Sequence, residues 1–187
     1  MQIIYDDGTK EFAYPSNSTL WFVGSGGDVP PDPEPGSDFR FPFPRSQHTS
    51  YPGHSGVDWP GGVVGNSAAI KTIGDGVVSA TYDYGANTSS TSEPIWRGIC
   101  VVINHGVIDG NTIYSLYAHM SLRYVSVGNT VVGGQEIGVI GNTGRSDGTH
   151  LHFEVNINGA RRPTNSVPSG YDVTMNWMDT HTDGSNW

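Results

Sequence analysis

The stretch GTHLHFEV, residues 148–155, alternates polar and apolar side chains and predicts a β-strand with one buried face. Successive side chains of a strand point to opposite faces, so the apolar residues share one face and the polar residues share the other. His150 and His152 therefore point the same way from a rigid support. Imidazole binds zinc and exchanges protons near neutral pH, but a single His-x-His pair is also typical of a polar strand face. The pair needs partners elsewhere in the chain to indicate a site.

Two other segments supply those partners. HSGVD, residues 54–58, places His54 and Asp58 four residues apart in a Gly-rich loop, and YAH, residues 117–119, ends an alternating run at His119. Three protein ligands with an open fourth position are the arrangement of a catalytic zinc ion. The chain offers His54, Asp58 and one histidine of the His-x-His pair as ligands. The other histidine of the pair and His119 are then left for acid–base chemistry.

The order of these motifs resembles the lysostaphin/LytM-type zinc metalloendopeptidases, which hydrolyse peptidoglycan. The motifs read HSGVD (54–58), YAH (117–119) and GNTGRSDGTHLHFEV (141–155), and the likeness extends over about residues 39–163. The resemblance implies an all-β, mainly antiparallel fold: a β-sandwich-like LytM-type domain with long loops that form a groove.

The resemblance also implies roles for five residues. His54, Asp58 and His152 match the family's metal ligands, and His119 and His150 match its two catalytic histidines. One Zn²⁺ per chain is implied, with a metal-activated water attacking a stem or cross-bridge peptide of bacterial peptidoglycan. Which of His119 and His150 is the base stays open at this point.

The charge of the chain is unevenly distributed. The net charge is −9; residues 1–38 contain seven acidic residues and one basic residue, residues 39–163 contain eight of each, and residues 164–187 contain three acidic residues. Nucleic acid binding needs a basic face, so nucleic acid is an unfavourable partner. No apolar run reaches the roughly 18 residues of a membrane-spanning helix.

Composition divides the chain into four expected segments. Residues 1–23 are a short N-terminal segment with a predicted hairpin, 24–38 are a Pro/Gly/acidic linker, 39–163 are the endopeptidase domain and 164–187 are an irregular tail. Within the domain, strands are expected at 70–73, 77–82, 99–105, 113–120, 125–132 and 135–140, and no amphipathic helix is expected.

The predictions of cellular location and of activity each have alternatives. The first residues show no signal-peptide pattern, so we expect a peptidase that reaches the wall with a phage tail or tail-tip protein; a secreted bacterial hydrolase and an endolysin released at lysis are the alternatives. A non-catalytic LytM-like structural or regulatory module is the alternative function, although all five expected site residues are retained. A phosphotransfer carrier also presents two histidines, but it has no use for Asp58.

Overall fold

The computed structural model describes residues 38–51, 53–92, 94–159 and 170–187. The predicted hairpin in 1–23 and all of the predicted linker except Asp38 lie outside the described residues. The described part contains eleven strands and four helical segments. In chain order these are β1 (Phe39–Phe41), the 3₁₀ turn η1 (Arg45–Gln47), β2 (Val57–Pro60), α1 (Gly61–Val64), β3 (Ala69–Lys71), β4 (Gly76–Asp83), the 3₁₀ turn η2 (Ile95–Arg97), β5 (Ile99–Ile108), β6 (Asn111–Met120), β7 (Leu122–Arg123), β8 (Thr130–Val131), β9 (Glu136–Val139), β10 (His150–Ile157), α2 (Gly170–His181) and β11 (Thr182–Asn186).

A six-stranded sheet forms the centre of the fold. Its strand order is β2-β10-β6-β5-β4-β8, and every neighbouring pair is antiparallel. A smaller antiparallel sheet has the order β3-β9-β7, and β1 pairs in parallel with β11. The expected all-β, mainly antiparallel fold is therefore confirmed.

The long hairpin β5–β6 is set by its turn. Asp109 and Gly110 both have positive φ, 51° and 76°, as the tightest hairpin turns require. Apolar residues from the central sheet and from the smaller sheet pack together into one core. Core residues of the central sheet are Val101, Ile103, Tyr117 and Phe153, and those of the smaller sheet are Ile70 and Ile137.

Most expected strands are found, but the segment 125–132 is shorter than predicted. Only Thr130–Val131 forms a strand there. Gly128 has a φ of 87°, and the amide of Gly128 donates to the carbonyl of Val78. The backbone therefore turns before it can pair along its length, which the alternation of valines alone does not reveal.

The prediction of an irregular tail after residue 163 is wrong for residues 170–186. Residues 170–181 form a helix, which packs mainly on β10, and β11 follows it. The buried face of this helix consists of Thr174, Met175, Trp177 and Met178 and not of a leucine stripe. The hydroxyl of Thr174, which is fully buried, accepts a hydrogen bond from the amide of Val155 at 3.0 Å. Because a polar residue occupies a core position, the sequence lacks the regular apolar spacing that indicates a helix.

Trp187 contacts residues of the first part of the domain. The indole nitrogen of Trp187 donates to the carbonyl of Ile73 at 3.3 Å, and the guanidinium of Arg40 lies 4.8 Å from the Trp187 ring centre. Farther along, Arg45 in η1 makes two hydrogen bonds of 2.6 Å to the carboxylate of Asp179 in α2. No helix among the described residues is long and apolar enough to cross a membrane.

Candidate metal centre and active site

Three side chains from two distant parts of the chain converge at one point. The Nδ1 atom of His152 lies 3.0 Å from the Nε2 atom of His54 and 3.0 Å from the Oδ1 atom of Asp58. The distance from His54 Nε2 to Asp58 Oδ1 is 3.3 Å. We call these three residues the metal cluster. Both histidines are buried, and Asp58 is mostly buried.

The register of the central sheet explains this convergence. β2 runs antiparallel to β10 with Asp58 directly opposite His152. His54 lies four residues before Asp58, where the chain enters β2, and its ring is covered by the exposed ring of Tyr51 at 4.4 Å between centres. The spacing of HSGVD therefore places Asp58 on strand β2 and His54 in the segment that leads into it.

The donor atoms of the metal cluster fit a single zinc ion. Two imidazole nitrogens and a carboxylate oxygen face one another, and a cation bound between them would accept a lone pair from each. Donor atoms at about 2.1 Å from a tetrahedral ion are separated by about 3.4 Å, slightly more than the observed 3.0–3.3 Å. All three donor atoms lie within 4.8 Å of one another.

The charges in the cluster support the same reading. Burial alone would raise the pKa of Asp58, but hydrogen bonds with His152 and His54 hold that pKa well below its usual value. Burial alone would lower the pKa of His152, but hydrogen bonds with Asp58 and Glu154 raise it to about 9. The surroundings thus favour an anionic carboxylate at Asp58 and a positive charge at His152, and a metal ion bound at Nδ1 would supply that positive charge in place of a proton.

Two further histidines lie beside the cluster, and we call them the histidine pair. The ring centres of His119 and His150 are 4.7 Å apart. The Nδ1 atom of His119 donates to the carbonyl of Thr143 at 2.8 Å, and that of His150 donates to the carbonyl of Gly148 at 2.8 Å. A carbonyl can only accept, so each Nδ1 carries the proton and each Nε2 presents a lone pair. The Nε2 atom of His150 is 3.7 Å from the Oδ1 atom of Asp58.

Burial keeps the histidine pair uncharged. It lowers the pKa of His119 to about 3, with a further lowering by the neighbouring His152 and His150. Burial also lowers the pKa of His150, against the opposing attraction of Asp58. Two neutral imidazoles with Nε2 lone pairs are proton acceptors.

The backbone at His119 is in a rare conformation. Its φ is 60° although it lies within β6 and not in a turn. The segment that follows β9 presses against this position: a side chain at Gly141 would lie 2.8 Å from the carbonyl oxygen of His119. Thr143 adds a hydrogen bond from its hydroxyl to the carbonyl of Met120 at 2.7 Å. Such over-determined backbone strain is concentrated at functional sites.

Sequence reasoning did not identify Trp96 as a member of this site. Its ring centre lies 5.8 Å from that of His119 and 5.5 Å from that of His152. The polar loop before it is fixed to the segment 142–146, because the side chain of Asn87 donates to the carbonyls of Asn142 and Ser146 at 3.2 and 2.7 Å. The loop thus brings an aromatic ring to the site, and the signal in the sequence was a tryptophan two residues before a glycine.

The other described histidines are used structurally. Both ring nitrogens of His105 are occupied, Nδ1 by the carbonyl of Asp75 at 2.6 Å and Nε2 by the hydroxyl of Ser115 at 2.7 Å. His48 packs near Trp59. His181 stacks on Trp177 at 4.3 Å between ring centres.

Comparison with known proteins places the site in a family context. The profile of peptidase family M23 matches residues 52–165. The peptidoglycan DD-endopeptidase ShyA of Vibrio cholerae is 37% identical over 114 residues, which are 61% of this chain and 22% of that protein. The chain thus spans about a fifth of the length of this curated relative.

Solved structures of other peptidases are also similar to this chain. A zinc-containing peptidase from Vibrio cholerae matches with a TM-score of 0.53 and 26% identity, covering 69% of this chain and 40% of that one. The antimicrobial peptidase lysostaphin from Staphylococcus simulans matches with a TM-score of 0.51 and 25% identity, covering 72% of this chain and 50% of that one. Both matches extend over most of this chain.

Proposed function

The chain belongs to peptidase family M23, and from this membership we propose that it is a zinc-dependent endopeptidase that hydrolyses peptide bonds of bacterial peptidoglycan. One observation carries the proposal: the complete metal cluster lies beside two neutral histidines with Nε2 lone pairs. A metal site alone would suit a structural role. A metal site with two adjacent proton acceptors suits hydrolysis.

We assign the metal ligands as His54 Nε2, Asp58 Oδ1 and His152 Nδ1. When bound there, zinc would polarise the scissile carbonyl and lower the pKa of a coordinated water to about 7. Mixed imidazole and carboxylate donors suit zinc better than they suit calcium or magnesium, which prefer oxygen ligands alone. No serine or cysteine nucleophile is then needed.

We assign proton transfer to the histidine pair. The carbonyls of Thr143 and Gly148 fix each ring with Nδ1 protonated, so Nε2 is free to accept a proton. His150 Nε2 is 3.7 Å from Asp58 Oδ1 and therefore lies beside the reacting centre, where it is suited to take a proton from the attacking water. The ring centre of His119 lies 4.7 Å from that of His150 and 5.8 Å from that of His152, so His119 is then suited to orient the substrate or to return a proton to the leaving amine.

The substrate class follows from the relatives. ShyA is named a peptidoglycan DD-endopeptidase, and lysostaphin is named an antimicrobial peptidase. We propose that this chain cuts peptide stems or cross-bridges of the same polymer, outside the bacterial cytoplasm. The exposed Tyr51 above His54 and the ring of Trp96 beside His119 would flank a peptide at the metal cluster.

The test uses purified cell walls and defined cross-linked muropeptides. We expect the zinc-loaded protein to convert cross-linked dimers to monomers, each cut leaving one new amine and one new carboxylate detectable by mass spectrometry. A chelator should abolish the cleavage, and added zinc should restore it. Walls with D,D cross-links and walls with glycine cross-bridges should be compared. Failure on every wall type by a zinc-loaded, folded protein would contradict the proposal.

The non-catalytic alternative is not favoured. A structural or regulatory module would not need to keep three metal donors and two oriented histidines together. In the same assay, that alternative predicts zinc binding or folding without any new amine.

We also propose that the peptidase reaches the wall as part of a phage particle, tethered to a tail or tail-tip protein through the linker 24–38. The support is the Pro/acidic composition of that segment. Antibody detection on purified virions tests this location, and detection only in culture medium or late lysates would contradict it. Limited proteolysis should cut first within 24–38 and leave the domain from residue 39 onward intact.

A further inference from the structure

A second carboxylate, that of Glu154, lies directly behind the metal cluster. Glu154 is 1% exposed, on the same face of β10 as His152. Its Oε1 atom is 3.0 Å from the Nε2 atom of His152, and its Oε2 atom accepts a hydrogen bond of 3.5 Å from the side chain of Asn156. A carboxylate buried this deeply is costly unless a positive charge and hydrogen bonds compensate it.

We propose that Glu154 is the positioning residue of the metal centre, which holds the His152 ring with Nε2 protonated and with the Nδ1 lone pair directed at the metal. The inference rests on the zinc binding of the proposed function, and it does not depend on the substrate. Glu154 acts through His152 and is not itself assigned as a ligand.

The geometry of the ring leads to this role. A carboxylate oxygen can only accept, so the proton of the His152 ring lies on Nε2, facing Glu154. Nδ1 is the atom that lies 3.0 Å from both His54 Nε2 and Asp58 Oδ1. A histidine that binds a metal ion is neutral, so a proton held on Nε2 would leave the Nδ1 lone pair for the metal. The opposite tautomer would direct an N–H at the metal and would prevent coordination.

Charge leads to the same role. A divalent ion bound by Asp58 and two neutral histidines leaves one positive charge in a buried site. The carboxylate of Glu154 balances that charge through the His152 ring, and it raises the basicity of His152 as a ligand. The buried Glu154 and a cation bound at the metal cluster would each compensate the desolvation of the other.

The two ligand histidines are supported differently. Within the part of the chain that the structure describes, the Nδ1 atom of His54 lies 3.4 Å from a hydroxyl, Ser50 Oγ. The Nε2 atom of His152 lies 3.0 Å from the carboxylate of Glu154 and 3.5 Å from the hydroxyl of Ser55. The ligand-bearing segment also packs on Glu154, because a side chain at Gly56 would lie 2.9 Å from Glu154 Cγ. Glu154 therefore lies where β10 and the segment with His54 and Asp58 meet.

The experiment compares zinc affinity in three variants by competition with a chromophoric chelator. Glu154→Gln keeps the size and one acceptor but removes the charge, and Glu154→Leu removes both. Glu136→Gln removes an exposed carboxylate of β9 and is the matched control for net charge. We expect zinc affinity to fall about 10-fold for Glu154→Gln and about 100-fold for Glu154→Leu, the range typical for support groups of ligand histidines. Glu136→Gln should bind zinc like the wild type.

Two further readouts separate positioning from a structural role. The increase in Tm that saturating zinc produces should shrink in Glu154→Gln; a merely structural residue would lower the zinc-free and zinc-loaded Tm equally and leave that increase unchanged. The visible absorption of the cobalt-substituted protein should shift in Glu154→Gln and not in Glu136→Gln. If Glu154→Gln binds zinc within twofold of the wild type with an unchanged cobalt spectrum, the inference is overturned, even if Glu154→Leu fails to fold. If the wild type itself binds no zinc, the proposed function is what fails.

Discussion

The metal cluster and the histidine pair lie side by side but are built in opposite ways. In the metal cluster, the donor atoms of His54, Asp58 and His152 point at one another. In the histidine pair, one nitrogen of each ring is bound to a backbone carbonyl, and the other presents a lone pair. The first arrangement suits holding a cation, and the second suits exchanging protons. Histidines in the two groups therefore differ in chemical role because their hydrogen-bond partners differ.

The two groups also depend on different parts of the fold. The metal cluster is set by strand register, since Asp58 is directly opposite His152 in the central sheet. The histidine pair depends on the backbone of the segment 141–148, which supplies the carbonyls of Thr143 and Gly148. A change that removes a ligand and a change that removes a proton acceptor should therefore have separable effects.

Removal of a metal ligand should have the largest effect. His54→Ala, Asp58→Ala and His152→Ala each leave two donors, too few to retain zinc in a site that needs three protein ligands. We expect zinc content near zero by elemental analysis and wall hydrolysis reduced to that of the chelated wild type. Full zinc content in any of these variants would remove that residue from the metal cluster.

Substitution in the histidine pair should have the next largest effect. His119→Ala and His150→Ala keep all three ligands, so we expect zinc content equal to that of the wild type. The rate of peptide-bond cleavage should fall by about 10²–10⁴-fold, the contribution of a positioned acid or base. Steady-state kinetics on a defined muropeptide should show the loss mainly in kcat. Loss of zinc from His150→Ala, with retention in His152→Ala, would reverse the assignment within the His-x-His pair.

The strand that carries His150 and His152 could be predicted from the sequence, but the surroundings of the site could not. Alternation in 148–157 is a local pattern and corresponds to the observed strand β10. HSGVD was expected to lie in a Gly-rich loop, but Asp58 lies in β2, because pairing with β10 extends the chain there. Trp96 could not be found this way, because it reaches the site only through the attachment of its loop to the segment 142–146. The helix 170–181 was missed because Thr174 occupies a core position and forms a hydrogen bond there.

A third kind of histidine sharpens the comparison, because both of its nitrogens are occupied. Burial lowers the pKa of His105 to about 4. The pKa of this histidine in the unfolded chain is about 6.5. Below that pH the unfolded chain binds a proton and the folded chain does not, so the free energy of unfolding decreases between about pH 6.5 and pH 4. The shift corresponds to about 3 kcal/mol of unfolding free energy.

His105→Gln removes this titration, so denaturant unfolding should compare it with the wild type from pH 7 to pH 4. A chelator should be present at every pH, so that zinc release contributes to neither protein. We expect the wild type to lose about 3 kcal/mol more than His105→Gln over this range. Equal losses in the two proteins would show that His105 becomes protonated while the protein is folded.

The smallest effect should come from the hydroxyl behind the other ligand histidine. Ser50 Oγ lies 3.4 Å from His54 Nδ1, a long contact between a neutral hydroxyl and a buried ring. A neutral hydrogen bond contributes about 0.5–1.5 kcal/mol at good geometry, so at this distance Ser50→Ala should weaken zinc binding only about two- to threefold. The loss should be several times smaller than that for Glu154→Gln in the same chelator competition, because His152 is held by a charged partner at 3.0 Å. A tenfold loss for Ser50→Ala would mean that both ligand histidines depend equally on their support, and the asymmetry drawn between them would be wrong.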